Sequence, residues 1–454
     1  MTVLGLRLER GGLAEALAGP ALRAQLEWEL AARLPQERWF PAKGVEIDAV
    51  RIDRWAAVDE RGEVAYAIAR VRAGEELSLQ LLLGVRDDGV VVEGPAHGAV
   101  AGPLASFLQR GGIRSGSGVR LQAESLVGAI ELPIPGRAVG AEQSNSSVIF
   151  GDRAIAKLYR RAAVGPNPEV ELLRYLSAAA PGSVPTVYAT VSATVDEGRI
   201  DVLLLQEFLA GAEDGWSWMC ARLAGTSPSR AEAEEAAAAI GSLTARLHAA
   251  LAEAEGEGMA ARPCTAGDVL LLRDETVREA EQTAAMLEEA GFDGGAAREA
   301  SGILRNWSLV SGDFGRLMRV HGDYHLGQLL WKAGRFVAID FEGEPARPLA
   351  ERRALQHPLT DVAGMLRSFS YACATTSAVE AERGLRRRYL DQYLEDAARA
   401  PVPFLAGDPR VNGRLLGLFE LRKALYEVRY ELRNRPQWVG IPLAALPRAL
   451  EALR

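Results

Sequence analysis

Apolar residues recur along this chain with two different periods, and the changes of period divide it into regions. Over residues 12–34 the apolar positions have helical spacing. Over residues 46–99 they form short runs separated by the turn-forming sequences DERG, AGEE and RDDG. This pattern predicts one or two amphipathic helices followed by antiparallel strands, which together form a small N-terminal domain over residues 1–130.

A second strand-rich region follows. Short apolar runs predict strands over Ser146–Phe150, Ala154–Tyr159, Val187–Val191 and Val202–Phe208, with a helix that starts at Glu169. After residue 211 the spacing becomes mainly helical, most clearly over 228–255 and 275–291, and short strands interrupt it at 318–340. The predicted fold class is therefore α+β, with a β-rich region over 131–208 and a mainly helical region over 209–454.

Composition excludes several classes of partner. The 454 residues carry a formal charge of −8, so there is no basic surplus for binding nucleic acid or an anionic membrane surface. We find no apolar run of about 18 residues and no apolar segment of signal-peptide length at the N-terminus. Cys220, Cys264 and Cys373 are scattered, which favours buried free thiols in a reducing compartment. We expect a cytoplasmic protein.

The densest cluster of chemically competent residues is HGDYHLGQLLWKAGRFVAIDFEGE, residues 321–344, which we call the catalytic hairpin. Asp323 follows a His-Gly turn, Gln328 lies five positions later, and Asp340 ends an apolar run. Residues of these types can carry out phosphoryl transfer from a nucleotide. The five-residue spacing between Asp323 and Gln328 also matches the catalytic loop of protein kinases. We predict a kinase that uses ATP and Mg²⁺, with Asp323 as the base or orienting carboxylate and Gln328 and Asp340 as metal ligands.

Other residues of the hairpin have less defined predictions. We expect His321 to brace the loop and His325 to reach the substrate, because two histidines on either side of a turn glycine make a poor zinc site. Glu342 is compatible with a second metal ligand and equally with a solvated side chain. Asp361 lies at the start of an apolar-periodic helix, so its predicted role is to stabilise that helix as its N-cap or first-turn acid and to brace the catalytic loop.

Lys157 is the candidate for binding the phosphates of ATP. It lies among apolar residues in the predicted strand 154–159, so it needs an anionic partner. In a kinase that lysine contacts the α- and β-phosphates and is tethered by a helix carboxylate. Glu169 and Glu171 both lie at the start of the next helix, and we prefer Glu171 as the tether.

Two further segments are candidates for binding the nucleotide. The sequence GAEQSNSS, residues 140–147, lies between strands, and its small residues Ser144, Asn145 and Ser146 would let backbone N–H groups approach phosphates. A solvated hairpin turn would have a similar sequence. Gln206, Glu207 and Phe208 end a strand where a linker backbone could bind adenine, although a core strand that runs into a loop fits these residues equally well.

The C-terminal helix carries the candidate sugar contacts. Lys423, Tyr426, Glu427, Tyr430 and Glu431 follow helical spacing and combine charged groups with aromatic rings. Charged groups can bind sugar hydroxyls, and rings can pack on the apolar face of a sugar. The alternative is an exposed stripe with a Lys423–Glu427 ion pair.

Several long motifs resemble those of the actinobacterial maltokinases, relatives of the aminoglycoside phosphotransferases. They are HGDYHLGQ, DFEGEP, PLTDVAGMLRSF, KALYEVRYELRNRPQW, GAEQSNSSVIFGD, QEFLAGAEDGW and ERWFPAKG. The resemblance implies a bilobal protein-kinase-like fold, with a β-rich N-lobe, a helical C-lobe and an extra N-terminal α/β cap domain, in a monomer or dimer. It also implies transfer of the γ-phosphate of ATP to the anomeric hydroxyl of maltose, giving maltose 1-phosphate for α-glucan and glycogen synthesis.

Matched by position, the resemblance assigns Asp323 as base, Gln328 and Asp340 as Mg²⁺ ligands, and Lys157 as the phosphate lysine. The sequence departs from the family in ERWFPAKG, where QRWFAGKG is more usual. Related glucosamine kinases share the hairpin, so the alternative substrate is glucosamine or another monosaccharide. A pseudokinase-like scaffold is disfavoured because all four of these residues are present. A protein kinase is disfavoured because no A-P-E segment follows Asp340.

Overall fold

The structure, a computed structural model, describes residues 2–8, 12–128, 130–139, 144–225, 227–307, 312–344 and 347–454. The chain separates into two units. Unit 1 comprises Met1–Arg174 and Pro185–Ala210, and unit 2 comprises Tyr175–Val184 and Gly211–Arg454. The predicted domain boundaries at 130 and 208 stay predictions.

An antiparallel five-stranded sheet is formed early in unit 1, in the order β1-β5-β4-β3-β2. Its strands are β1 (Thr2–Arg7), β2 (Ala49–Ala57), β3 (Val64–Ala73), β4 (Glu75–Val85) and β5 (Val90–Glu93). The accompanying helices are α1 (Leu13–Ala16), α2 (Pro20–Arg33) and α3 (Gly98–Arg110), with a 3₁₀ turn at Leu34–Gln36. Leu26 and Leu30 of α2 lie in the same apolar cluster as Ala67 and Leu81 of the sheet. The predicted helices over 12–34 and strands over 46–99 are confirmed, whereas β1 and α3 were not predicted.

The second sheet of unit 1 has the order β6-β7-β11-β12-β10-β9-β8 and is also antiparallel. Its strands are β6 (Gly112–Ser115), β7 (Arg120–Ser125), β8 (Arg137–Ala138), β9 (Asn145–Phe150), β10 (Ala154–Tyr159), β11 (Val187–Val195) and β12 (Gly198–Glu207). The helix α4 (Pro168–Ala179) follows β10. Strands β6 and β7 precede residue 130, yet they belong to this sheet because β7 pairs with β11 along its length.

A buried polar network joins the two sheets of unit 1. Arg160, which follows β10, forms an ion pair with Glu93 of β5, and both side chains are 2% exposed. The Arg160 guanidinium also lies 4.0 Å from the ring centroid of Trp39. From β4, Gln80 donates to the backbone carbonyl of Tyr159 at 2.8 Å. Because an unpaired buried charge is strongly destabilising, Arg160 and Glu93 depend on each other.

Unit 2 is mainly helical, as predicted. Its helices are α5 (Gly215–Leu223), α6 (Ser227–Ala252), α7 (Ala266–Glu289), α8 (Gly295–Arg305), α9 (Leu349–Arg352), α10 (Leu359–Thr375), α11 (Glu382–Ala397), α12 (Pro409–Asn434) and α13 (Gly440–Leu453). Further 3₁₀ turns lie at Leu326–Gln328, Val379–Ala381 and Pro436–Trp438. The short strands are β13 (Glu213–Asp214), β14 (Arg262–Pro263), β15 (Arg316–Leu317), β16 (Leu329–Lys332) and β17 (Arg335–Ala338).

The hairpin β16–β17 carries the metal-ligand candidates at its open end. Ala333 and Gly334, which connect the two strands, both have positive φ, at 50° and 82°. Two consecutive positive φ values suit a tight two-residue hairpin turn. Trp331 and Phe336 pair across the strands with ring centroids 4.7 Å apart and fix their register. Among the described residues no helix is long and apolar enough to cross a membrane.

Candidate active site

The hairpin brings Gln328 and Asp340 together although they are 12 positions apart. Leu329 pairs with Ala338 in the ladder, and the Ile339 N–H donates to the Gln328 carbonyl at 3.0 Å. As a result, Gln328 Nε2 lies 3.3 Å from Asp340 Oδ2. Asp340 has a φ of 62°, a conformation rare outside glycine and common at functional sites. Amide and carboxylate oxygens are ligands that Mg²⁺ accepts, so this donor set fits the predicted metal.

A buried carboxylate holds the loop that carries Asp323. Asp361 accepts the backbone N–H groups of His321 at 2.8 Å and Gly322 at 2.9 Å, and its Oδ2 lies 3.2 Å from His248 Nε2. Burial alone would raise the pKa of Asp361, but its hydrogen bond and charge interaction with His248 and its contacts to the loop lower it overall. Asp361 therefore stays ionised and braces the catalytic loop, as predicted.

His321 contributes to the same brace, whereas His325 faces Asp323. His321 Nε2 lies 2.9 Å from the Ile339 carbonyl. His325 Nδ1 accepts the Gly327 N–H at 3.1 Å, and its Nε2 lies 4.0 Å from Asp323 Oδ2. Burial lowers the pKa of His325, so the ring is neutral at physiological pH, with its proton on Nε2. His325 can thus donate a hydrogen bond next to the candidate base.

Helix α12 contributes Lys423 and Tyr426 to the surroundings of Asp323. Lys423 Nζ lies 3.7 Å from Asp323 Oδ1. The Tyr426 hydroxyl is hydrogen-bonded to Glu344, which Arg347 also contacts at 2.8 Å. Burial would raise the pKa of Glu344, but the hydrogen bonds from Tyr426 and Arg347 lower it by more. Glu344 is therefore an ionised carboxylate near Lys423, and it was not among the predicted site residues.

The predicted sugar contacts Glu427 and Glu431 need a correction. The Glu427 carboxylate accepts Arg367 Nε at 2.8 Å, and both side chains are largely buried. Glu431 is 1% exposed and pairs with Arg435 at 2.7 Å. Its carboxylate also accepts the hydroxyl of Tyr371 at 3.0 Å. These two carboxylates hold neighbouring elements together, and their charges are already compensated by arginines.

Helix geometry explains why the predicted sugar contacts of α12 do not all face the same neighbour. At about 100° per residue, Tyr426 points about 60° to one side of Lys423, and Glu431 points about 80° to the other. The predicted stripe is therefore about 140° wide and meets more than one neighbour. Tyr430 lies between these edges, is 44% exposed, and stacks on Tyr426 with ring centroids 6.3 Å apart.

In unit 1, the phosphate-lysine candidate has a different tether from the one we preferred. Lys157 Nζ lies 2.8 Å from Glu169 Oε2, and the Tyr159 hydroxyl donates to the same oxygen at 2.8 Å. Glu169 is 1% exposed, whereas Glu171 is partly exposed. Two helix positions that differ by two residues point about 200° apart, so only one of them can face β10. The tether of Lys157 is thus corrected from Glu171 to Glu169.

The predicted phosphate loop is only partly described. Gly140–Gln143 lies outside the described residues. Asn145 is buried at the start of β9, and its Nδ2 lies 3.4 Å from Ser144 Oγ. Ser146 Oγ accepts Arg160 Nε at 2.7 Å. Backbone contacts from Ser144, Asn145 and Ser146 to phosphate stay a prediction.

The predicted adenine linker lies at the end of β12. The Glu207 N–H donates to the Thr186 carbonyl at 2.8 Å, and the Phe208 N–H donates to the Arg153 carbonyl at 2.9 Å. Both N–H groups are therefore already paired, and the Phe208 carbonyl also accepts the Ala210 N–H at 2.9 Å. Gln206 Oε1 is buried and has no hydrogen-bond partner among the described residues. The contact of this segment with adenine stays a prediction.

The remaining predictions concern Glu342 and the cysteines. Glu342 Oε2 lies 3.8 Å from Arg352 Nη1, which leaves both of its predicted roles open. Cys220, Cys264 and Cys373 are all free thiols, as predicted, but only Cys264 and Cys373 are buried, whereas Cys220 is partly exposed. Sequence reasoning missed Glu344 and His248. Glu344 stands in the DFEGE motif, close to Asp340, but His248 is a single histidine in the Ala-rich helix α6 and gives no comparable signal.

Comparisons with known proteins agree with this geometry. The sequence profile of the phosphotransferase enzyme family matches residues 135–405, and that of the maltokinase N-terminal cap domain matches residues 34–106. A glucosamine kinase from Streptacidiphilus jiangxiensis is 31% identical over 414 residues, 86% of this chain and 89% of that protein. A glucosamine kinase from Mycolicibacterium smegmatis is 31% identical over 337 residues, 69% of this chain and 79% of that protein.

Solved structures give the same fold. The structure of a glucosamine kinase in complex with glucosamine, ADP and inorganic phosphate has a TM-score of 0.72 and 24% identity, and the match covers 93% of this chain and 98% of that one. The chain therefore belongs to the phosphotransferase enzyme family and carries a maltokinase-type N-terminal cap domain. It is an enzyme of the sugar kinase group that phosphorylates an alcohol. The predicted fold class and enzyme class are confirmed.

Proposed function

We propose that this protein phosphorylates a sugar hydroxyl with ATP as donor and Mg²⁺ as the metal. The observation that carries the proposal is the arrangement around Asp323. Its carboxylate lies within 4.0 Å of His325 and Lys423, on a loop that Asp361 fixes through two backbone hydrogen bonds. A fixed carboxylate next to hydrogen-bond donors is suited to orienting an incoming hydroxyl and accepting its proton.

Gln328 and Asp340 are the residues that would hold Mg²⁺. When bound, the ion would neutralise charge on the phosphates of ATP. Asp323 would accept the proton of the acceptor hydroxyl on a carboxylate oxygen, and His325 and Lys423 would orient the sugar through their N–H groups. In unit 1, Lys157, held by Glu169, would bind the α- and β-phosphates.

For the acceptor, we propose glucosamine first and maltose second. Glucosamine is supported by two relatives that are named glucosamine kinases. It is also supported by the ionised carboxylate of Glu344, close to Lys423, because a carboxylate can bind an ammonium group. Maltose, the acceptor that the sequence motifs favour, is supported by the maltokinase-type cap domain. With maltose, the product would be maltose 1-phosphate.

The test is a coupled assay of ADP release from Mg-ATP with glucosamine, maltose and glucose, in which NMR locates the phosphate on the product. Turnover of glucosamine would support the first acceptor. Turnover of maltose with the phosphate on the anomeric carbon would support the second. ADP release that is the same with and without every sugar would contradict the proposal.

A further inference from the structure

A cavity of about 580 Å³ begins beside the candidate acceptor residues and continues along α7 and α12. At one end it is lined by Gly322, Glu344, Lys423 and Tyr426. Lys423 is the residue whose Nζ lies 3.7 Å from Asp323. The whole lining belongs to unit 2. The cavity is therefore a continuation of the candidate acceptor site.

The cavity is larger than a single hexose requires. A hexose has roughly a dozen heavy atoms, and even at the ~30 Å³ that a water molecule occupies in the liquid these would fill about 360 Å³. The volume of about 580 Å³ instead falls among pockets that hold drug-sized ligands, about 300–1,000 Å³. There is room for a second chemical group attached to the sugar.

The chemistry of the wall changes along the cavity. On α12, Phe419 lies four residues before Lys423 and Leu415 a further four residues before that, with a rise of about 6 Å for each four residues. The lining also includes leucines that the core does not fully bury: Leu271, Leu272, Leu317 and Leu355. Leu271 is 59% exposed. We call these four residues the leucine end of the cavity.

The charged side chains near the leucine end neutralise one another. Arg422 lies 3.0 Å from Glu275 and 3.2 Å from Glu279, and Arg429 lies 3.5 Å from Glu279. These ion pairs leave no surplus charge to attract an ionic ligand. The leucines offer aliphatic surface to a ligand, which is stabilised when an apolar group displaces water from it. The lining also includes Gln356, His357 and Thr360, so aliphatic surface makes up only part of the wall.

We propose that the natural acceptor is a derivative of glucosamine that carries an apolar substituent, and that this substituent lies against the leucine end while the sugar lies beside Asp323. The proposal rests on the proposed function for the sugar part alone. We place the substituent of the sugar at the leucine end because one cavity joins the acceptor residues to the leucines without a break in the lining.

The test compares the affinity of the full-length protein for three probes by calorimetry: glucosamine, its hexyl glycoside, and 6-O-hexyl glucosamine. Two hexyl positions are used so that either orientation of the sugar can place the chain in the cavity. We expect at least one hexyl derivative to bind tenfold or more tightly than glucosamine, because burial of each methylene adds to affinity.

Substitutions then locate the effect. The double substitution Leu272→Gln with Leu355→Gln should reduce the affinity ratio of hexyl derivative to glucosamine from tenfold or more to less than about threefold. The single substitution Leu271→Gln, at an exposed position, should reduce it in the same direction. The matched control is Leu394→Gln, which changes a leucine of α11 that is 42% exposed and is not part of the cavity lining. This control should keep the ratio of the unmodified protein.

The outcomes separate this inference from the proposed function. Equal affinity for all three probes, or a gain that survives the double substitution, would overturn the inference. If ADP release depends on glucosamine or maltose but hexyl groups add nothing, the proposed function stands and the inference fails. If hexyl groups tighten binding but no sugar supports ADP release, the inference stands and the proposed function fails.

Discussion

The catalytic hairpin and helix α12 both supply residues around Asp323, but they position them in different ways. In the hairpin, the ladder of β16 and β17 and the brace from Asp361 determine where Gln328, Asp340 and Asp323 lie. On α12, by contrast, the polar residues that were predicted to form one face contact two different parts of unit 2. Lys423 belongs to the acceptor side, and Glu427 pairs with Arg367 of α10.

This difference shows what each kind of sequence pattern specifies. A hairpin with a fixed register sets distances between side chains that are far apart in sequence. Helical spacing tells only that residues lie within an arc of the helix, and an arc of about 140° can face an active site at one edge and a core at the other. The predictions below test that contrast.

The largest effect is expected in the hairpin. Asp323→Asn should lower kcat by about 100- to 10,000-fold, because the amide cannot accept the proton of the acceptor hydroxyl. ATP affinity, measured by calorimetry, should change little. The control is Asp391→Asn, an exposed aspartate of α11, which should retain full activity. Turnover of Asp323→Asn near that of the control would show that the hairpin has been interpreted wrongly.

On α12, Glu427→Gln tests the buried edge of the stripe. It leaves the Arg367 guanidinium buried without its counter-charge, so the free energy of unfolding should fall by ~3–5 kcal/mol. Urea denaturation would measure this loss. Lys423→Met, at the other edge, should instead lower kcat/KM for the sugar with a much smaller loss of stability. If both variants lost the same stability and the same kcat/KM, the two edges of the stripe would not differ in function.

The free energy of unfolding should depend on pH through His357, which packs against α12. Its Nε2 lies 3.0 Å from the Phe314 carbonyl and its ring stacks on Phe419 of α12. Burial lowers the pKa of His357 to about 4, below its ordinary value of about 6.5.

Between these two values the unfolded chain binds more protons than the folded one. The stabilisation is thus complete above pH 6.5 and is lost as the pH falls toward 4, by up to ~3 kcal/mol. Urea denaturation at pH 7 and pH 4.5 would measure it. His357→Gln cannot titrate, so the variant should lose less stability over this range than the unmodified protein. Equal losses would contradict the assignment to His357.

The smallest effect concerns the tether of Lys157. Glu169→Gln should raise the KM for ATP by about tenfold, because Lys157 loses the charged partner that holds it at 2.8 Å. The matched control Glu171→Gln removes an equal charge two positions away on the same helix and should change the KM by less than about twofold. A larger effect at Glu171 would restore the tether that we first preferred.

Much of the fold could be predicted from sequence, because its elements have clear periods. Strand β10 runs over Ala154–Tyr159 as predicted, and α6 and α7 follow the predicted helices. Helix α3 was not predicted, because Gly98–Arg110 contains three glycines or prolines, which lower helix propensity. Strands β6 and β7 were not predicted, and the pairing of β7 with β11 is a long-range contact that local pattern does not encode.

In the candidate site, too, some contacts could be predicted from the sequence and others could not. Gln328 and Asp340 could be paired from sequence because one short hairpin separates them. The choice between Glu169 and Glu171 could not be made from spacing, since it depends on how α4 is rotated toward β10. The role of His248 in holding Asp361 depends on contact between α6 and α10, which no local motif reveals.

The most direct test of the central claim is whether the γ-phosphate reaches the sugar. Mg-ATP labelled with ³²P on the γ-phosphate would be incubated with glucosamine or maltose, and the products would be separated. We expect labelled sugar phosphate from the unmodified protein and almost none from Asp323→Asn. Label found only in inorganic phosphate or on the protein, or labelled sugar formed equally by Asp323→Asn, would contradict a sugar kinase built around Asp323.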